Sequence, residues 1–170
     1  AMQKCQPTFL LCVPRVLEKM YARVVEEIDK KSKWKKMIAK FAFQHGEQVW
    51  KGMLAGKKQD VWHSALYFVS EKLVLRRIRT GLALSSVRNL VSGAAPLAMH
   101  LHPFFGALGA PIQEVYGQTE CTGVCHGIED PWSVKPGSVG KSLPGIEVRF
   151  AEDNEIIIRG DNVFMGYWKM

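Results

Sequence analysis

No apolar run among the 170 residues reaches the roughly 18 consecutive positions that a membrane-spanning helix needs. A signal-peptide pattern is missing too. That absence carries no weight here, because the chain reads as an internal piece of a longer protein. Cysteine is sparse, limited to Cys5, Cys12, Cys121 and Cys125. Four thiols at that spacing do not make the dense disulfide framework of a small secreted domain, and a chain of this length can build its core without one. A reduced, cytoplasmic setting is expected. Cys121, Cys125 and His126 lack an obvious fourth ligand, so free buried thiols account for them better than a metal site.

Two catalytic signatures are also missing. The run Gly137-Ser138-Val139-Gly140-Lys141-Ser142 looks like a phosphate loop, but that pattern needs glycine where Lys135 stands. A β turn is the better reading. Ser92 fails as a hydrolase nucleophile because Leu90 occupies the first glycine position of the G-x-S-x-G elbow. His100 and His102 would point to different sides of a helix, which argues against joint metal binding.

Acidic residues are scarce in the first half. Residues 1–80 hold 17 Lys and Arg against 7 Asp and Glu, whereas residues 81–170 hold 6 against 9. The overall net charge of +7 therefore originates before residue 81. A solvated helix face would account for it. The functional alternative is peripheral contact with anionic membrane lipid through the Lys-rich helices. A nucleic-acid partner is not expected, since the basic stretch lacks interleaved aromatics and any known fold signature.

The hydrophobic content of 47% is that of a globular protein and excludes general disorder. Residues 8–13 form a short apolar run suited to a buried strand, and Pro14 then opens a helix. Leu17, Met20, Tyr21, Val24 and Ile28 recur at helical spacing, as do Trp34, Met37, Ile38, Phe41 and His45. Residues 52–60 read as a linker. A helix over 61–80 carries Trp62, Ala65, Leu66, Val69 and Leu73 on one stripe, with Gly81 as its stop.

The pattern then changes to strand (87–91), helix (96–108) and strand (112–116), the order of a parallel βαβ unit. Ligands bind beyond the carboxyl ends of such strands. From Pro131 onward, glycine and proline punctuate short β runs, with a hairpin expected from 146–150 and 155–159 and one more strand over 163–168. The predicted fold class is α/β. Residues 1–130 form part of a parallel βαβ sheet with flanking helices and a helical insert, and 131–170 form a small β-barrel-like subdomain.

Ser92-Gly93-Ala94-Ala95-Pro96 and Tyr116-Gly117-Gln118-Thr119-Glu120 fall at the two strand ends of that unit. Small residues let a backbone approach a flat ring closely. A threonine hydroxyl suits a phosphate oxygen, and a carboxylate suits Mg²⁺. Two such turns could clamp a purine.

S-G-A-A-P-L, Y-G-Q-T-E, P-G-S-V-G-K-S-L-P-G and E-I-I-I-R-G-D-N-V-F-M-G-Y occur in one order. Together they resemble the adenylate-forming superfamily that includes acyl-CoA synthetases and firefly luciferase. The first half, with P-T-F-L-L-C-V-P-R-V-L-E-K-M-Y and E-K-L-V-L-R-R-I-R-T-G-L, is similar to the long-chain fatty acyl-CoA ligases. The resemblance implies ATP, Mg²⁺, coenzyme A and a fatty acid as reactants. It implies Gly93, Ala94 and Ala95 against adenine, with Ser92 and Pro96 beside them and Tyr116 and Gly117 on the opposite side. Thr119 would contact the α-phosphate, Glu120 would hold the metal, and the acyl chain would pass near Gln118. The family's phosphate loop, ribose-binding aspartate and adenylation lysine have no counterparts in this sequence. The chain alone is therefore expected to be inactive. Medium-chain, aryl or bubblegum-type ligases and a non-catalytic scaffold are the alternatives.

Overall fold

The computed structural model describes residues 2–56 and 61–169. Its order is α1 (Met2–Cys5), β1 (Phe9–Cys12), α2 (Pro14–Asp29), α3 (Lys33–Leu54), α4 (Val61–Ser70), a π-helical turn (Glu71–Leu75), α5 (Arg76–Gly81), β2 (Asn89–Ser92), α6 (Leu101–Ala107), β3 (Ile112–Glu114), β4 (Tyr116–Gln118), β5 (Gly123–Gly127), β6 (Lys141–Ser142), β7 (Glu147–Phe150) and β8 (Ile156–Arg159).

The βαβ unit forms as the sequence predicts. β2 pairs in parallel with β1 on one side and β3 on the other, giving the order β1-β2-β3. One face of this sheet, carrying Leu10, Leu90 and Ile112, packs on the helices together with Leu17, Leu101 and Phe105. Phe105 is fully buried, and removing such a ring from water contributes about 1.5–3 kcal/mol. On the opposite face, Phe9 and Leu11 of the edge strand remain exposed.

α2 starts at Pro14 and buries Leu17 and Val24 on the expected stripe. α3 differs from expectation. It buries Ala39, Ala42, Gly46, Val49 and Trp50, while Trp34, Met37 and Phe41 of the predicted stripe stay exposed. The reason is close helix contact. A side chain on Gly46 would collide with Ala107, and one on Gly106 would enter the Trp50 ring. The small face of α3 is the one that fits against α6. Exposure also falls on Val69 and Leu73 of the next predicted stripe. Trp62 of that stripe, and positions 57–60 of the expected linker, lie outside the residues whose side chains or placement are described. α3 itself runs to Leu54, into that linker.

Other boundaries move. The expected helix over 61–80 is interrupted by the π turn and ends at Gly81 as expected, with Ala83 shortly after it in the left-handed region (φ +60°). The helix expected over 96–108 begins only at Leu101. The strand expected over 112–116 ends at Glu114, and Tyr116 opens a second, antiparallel sheet of order β4-β5-β6. Because β6 pairs with β5, residues on both sides of position 130 share that sheet. The predicted hairpin is present as β7 and β8, closed by Asn154 at φ +68°. No strand occupies 163–168, where the chain bends and turns instead.

Candidate functional site

Beyond the carboxyl end of the parallel sheet lies an open cleft of about 560 Å³. Gly93 and Ala94 line it from the end of β2, and Gly117, Gln118 and Thr119 line it from β4 and the turn after it. Leu11 and Cys12 of β1, with Val13 just after it, close the cleft. The two short motifs therefore meet in one place, because parallel strands β2 and β3 carry them to the same edge.

Not every predicted residue faces this cleft. Ser92 is 1% exposed, and its hydroxyl has no partner among the described residues, so its side chain belongs to the interior. Ala95 and Pro96 are exposed outside the lining. Tyr116 sits edge-on to His126 across β4 and β5, with ring centroids 5.8 Å apart, and is not part of the lining either. Residues missed by the sequence reading include Val13, Val115 and Thr122. The rule that strand ends form ligand crevices would have found Val13.

Gly117 is required by contact. A β-carbon there would strike the backbone of Gly123 on β5. Ala94 and Thr122, both in the lining, hold left-handed backbone conformations (φ +68° and +51°). Side-chain-bearing residues adopt this region at a cost, and such positions concentrate where ligands bind.

The family described as AMP-binding enzyme matches residues 1–168. The chain belongs to this AMP-binding family. It is 34% identical over 171 residues to a long-chain-fatty-acid–CoA ligase of Rattus norvegicus, a match covering 98% of this chain and 25% of the relative. It is 33% identical to a long-chain-fatty-acid–CoA ligase of Mycobacterium tuberculosis, covering 96% and 26%. A long chain acyl-CoA synthetase of Arabidopsis thaliana is 31% identical, again covering 96% and 26%. The chain thus spans about a quarter of the length of these curated relatives. Among solved structures, a malonyl-CoA ligase ternary product complex with methylmalonyl-CoA and AMP is 32% identical with a TM-score of 0.44, over 61% of this chain and 24% of that one.

Within this AMP-binding chain, Glu120 follows Thr119 in sequence but is not part of the cleft lining. Its Oε1 accepts a 2.6 Å hydrogen bond from the Tyr167 hydroxyl, which holds the carboxyl below the ordinary glutamate range, with help from its own backbone amide. The thiols of Cys12 and Cys125 are poor nucleophiles. Burial raises Cys12, and burial together with the neighbouring Cys121 thiol pushes Cys125 up to about 11. All four cysteines are free. No three His, Cys, Asp or Glu among the described residues are grouped to hold a metal. Nor is any described helix long and apolar enough to cross a membrane.

Proposed function

We propose that this chain supplies the adenine-facing wall and metal carboxylate of a fatty acid–CoA ligase. The observation that carries the reading is the cleft itself, in which Gly93 and Ala94 oppose Gly117, Gln118 and Thr119. The long-chain-fatty-acid–CoA ligases at 33–34% identity support the acid and thiol as the other reactants.

In the reaction of such a ligase, a fatty acid carboxylate attacks the α-phosphorus of ATP. Pyrophosphate leaves and an acyl-adenylate forms. The sulfur of coenzyme A then attacks the acyl carbonyl, AMP leaves, and the thiol proton is released. Negative charge builds on the α-phosphate during the first step, and preorganised donors lower that barrier. The Thr119 hydroxyl, exposed at the cleft, has the chemistry of such a donor. Backbone at Gly93, Ala94 and Gly117 offers the close approach that a flat ring needs.

Mg²⁺ fits the donor set in one way. A lone carboxylate suffices for an ion that arrives on ATP, since Mg²⁺ takes one or two carboxylates plus phosphate oxygens. Glu120 would hold it, and the ion would neutralise charge on the α-phosphate and the departing pyrophosphate.

Titrating AMP into the ¹⁵N-labelled chain tests the binding claim. Shifts are expected at Gly93, Ala94, Gly117 and Thr119, and their absence at millimolar AMP would overturn it. The chain alone is expected to lack turnover, so ATP–pyrophosphate exchange with palmitate should stay at background.

A second reading concerns the basic half. The exposed residues Trp34, Met37 and Phe41 recur along α3 among Lys33, Lys35 and Lys40. An apolar stripe flanked by lysines suits an anionic lipid surface. Liposome flotation checks it: recovery should rise with phosphatidylserine, and equal recovery with neutral vesicles would refute it.

A further inference from the structure

Two features left over from the sequence, the H-x-H pair and the P-G-S-V-G turn, converge on one buried carboxylate. Glu114 ends β3 and is 8% exposed. Its Oε1 lies 3.0 Å from Nε2 of His102, which projects from α6 and is 1% exposed. The same oxygen accepts the backbone N–H of Gly137 at 3.1 Å. Gly137 (φ +77°) sits in a turn closed by the Ser138 N–H donating to the Lys135 carbonyl. One oxygen therefore joins a helix, a strand end and the segment that follows.

The location matters. Glu114 pairs with Ser92 in the parallel register, and the next amide, Val115 N–H, donates to the Ser92 carbonyl. Glu114 thus adjoins Ser92-Gly93 and precedes Tyr116-Gly117-Gln118 by two residues. Both walls of the cleft leave the sheet beside it.

A buried carboxylate is costly unless it is hydrogen-bonded. An apolar pair of equal volume would often serve stability as well or better. The polar arrangement has a different merit, because it is satisfied in one geometry alone. His102 fits this account as a neutral imidazole. Its Nε2–H donates to Glu114, and Nδ1 has no partner among the described residues, so a second ring proton would be buried without an acceptor.

We infer that His102, Glu114 and Gly137 form a positioning relay that fixes the take-off of β4, and with it the Gly117–Thr119 wall of the cleft, against the Gly137 turn. The inference rests on the nucleotide reading for its purpose. None of the three residues lines the cleft, so they act through the backbone of residues 115–118.

The test is amide hydrogen exchange and ¹⁵N–¹H spectra on the chain itself. His102→Leu removes the donor. Gly137 amide exchange should accelerate roughly tenfold or more, and the Tyr116, Gly117 and Gln118 amides should shift. His102→Gln, which restores a donor, should recover most of the protection. Glu114→Gln provides a second route should the leucine variant not fold, and it should also accelerate Gly137 exchange because the acceptor loses its charge. Wild-type exchange at Gly137 in a folded variant, or an even loss of protection across the whole chain, would overturn the relay. The AMP titration is separate: missing shifts in the wild-type chain overturn the nucleotide reading, whereas unchanged Gly137 exchange overturns the relay.

Discussion

The Tyr167 hydroxyl donates to Glu120 Oε1 across 47 positions of sequence, at 2.6 Å. Among the described residues it is one of four ties between the segment after β8 and the turn after β4. Phe164 N–H donates to the Glu120 carbonyl, Asn162 Nδ2 to the Cys121 carbonyl, and the Thr122 hydroxyl to the Asn162 carbonyl. The late segment thus braces the carboxylate that the family resemblance assigns to a metal. The bond lowers Glu120 and raises Tyr167.

Tyr167→Phe should therefore let Glu120 titrate at higher pH. Carboxyl-carbon NMR across the acid range reads this directly, and identical titration curves for the two proteins would disprove the coupling. The fold should survive the change, because Tyr167 is half exposed and the backbone ties through residues 162 and 164 remain.

Helix packing gives a sharper contrast. Gly106→Ala should destabilise the chain by about 1–3 kcal/mol, since the added methyl enters the Trp50 ring between α3 and α6. Gly81→Ala, with open space around the new methyl, should be neutral or stabilising by about 0.5–1 kcal/mol through helix propensity. Urea melts of the two variants compare them, and equal midpoints would contradict the packing account.

That contact also explains what the sequence could and could not convey. The periods of α2 and α3 were legible from apolar spacing, but the choice of face on α3 was not. Trp34, Met37 and Phe41 outweigh Ala39, Ala42 and Gly46 on any hydrophobicity count, yet close approach to Ala107 selects the small residues. In the site, Gly93, Ala94, Gly117 and Thr119 were legible because small and hydroxylic residues cluster there. The break at Val115 was not, because residues 112–116 read as one strand until β5 pairs with Tyr116. His102 and Gly137 lie 12 and 23 positions from Glu114, and no local pattern announces such partners.

Acid should weaken the fold in two stages. Burial holds His102 below its ordinary range despite the opposing Glu114 carboxylate. The unfolded chain, with histidine near pH 6.5, then binds the proton more readily than the folded one. Stability from this group is complete above about pH 6.5 and is lost as pH falls toward the lower folded value. Glu120 and Asp130, also lowered, add their loss only below the ordinary carboxylate values of 4.5 and 3.8. Melting temperature should fall first below neutrality, before the carboxylates begin to titrate. His102→Gln should flatten that first stage and leave the second. A first stage that persists in the variant would assign it to another group.

Ala94 offers the last test, because strain and binding oppose each other there. An alanine at φ +68° costs about 1–2 kcal/mol in the left-handed region, whereas glycine adopts it freely. Glycine also gives the unfolded chain more freedom, which offsets about 0.4–1 kcal/mol. The net expectation for Ala94→Gly is a gain of about 0.5–1 kcal/mol, because relief of strain outweighs the entropy. Thermal melts should show a modest rise. If the strained turn is held for a ligand, AMP shifts in the variant should weaken at Gly93 and Gly117 even as the fold strengthens. A variant that is both more stable and equally responsive to AMP would mean that the methyl and its backbone geometry serve neither purpose.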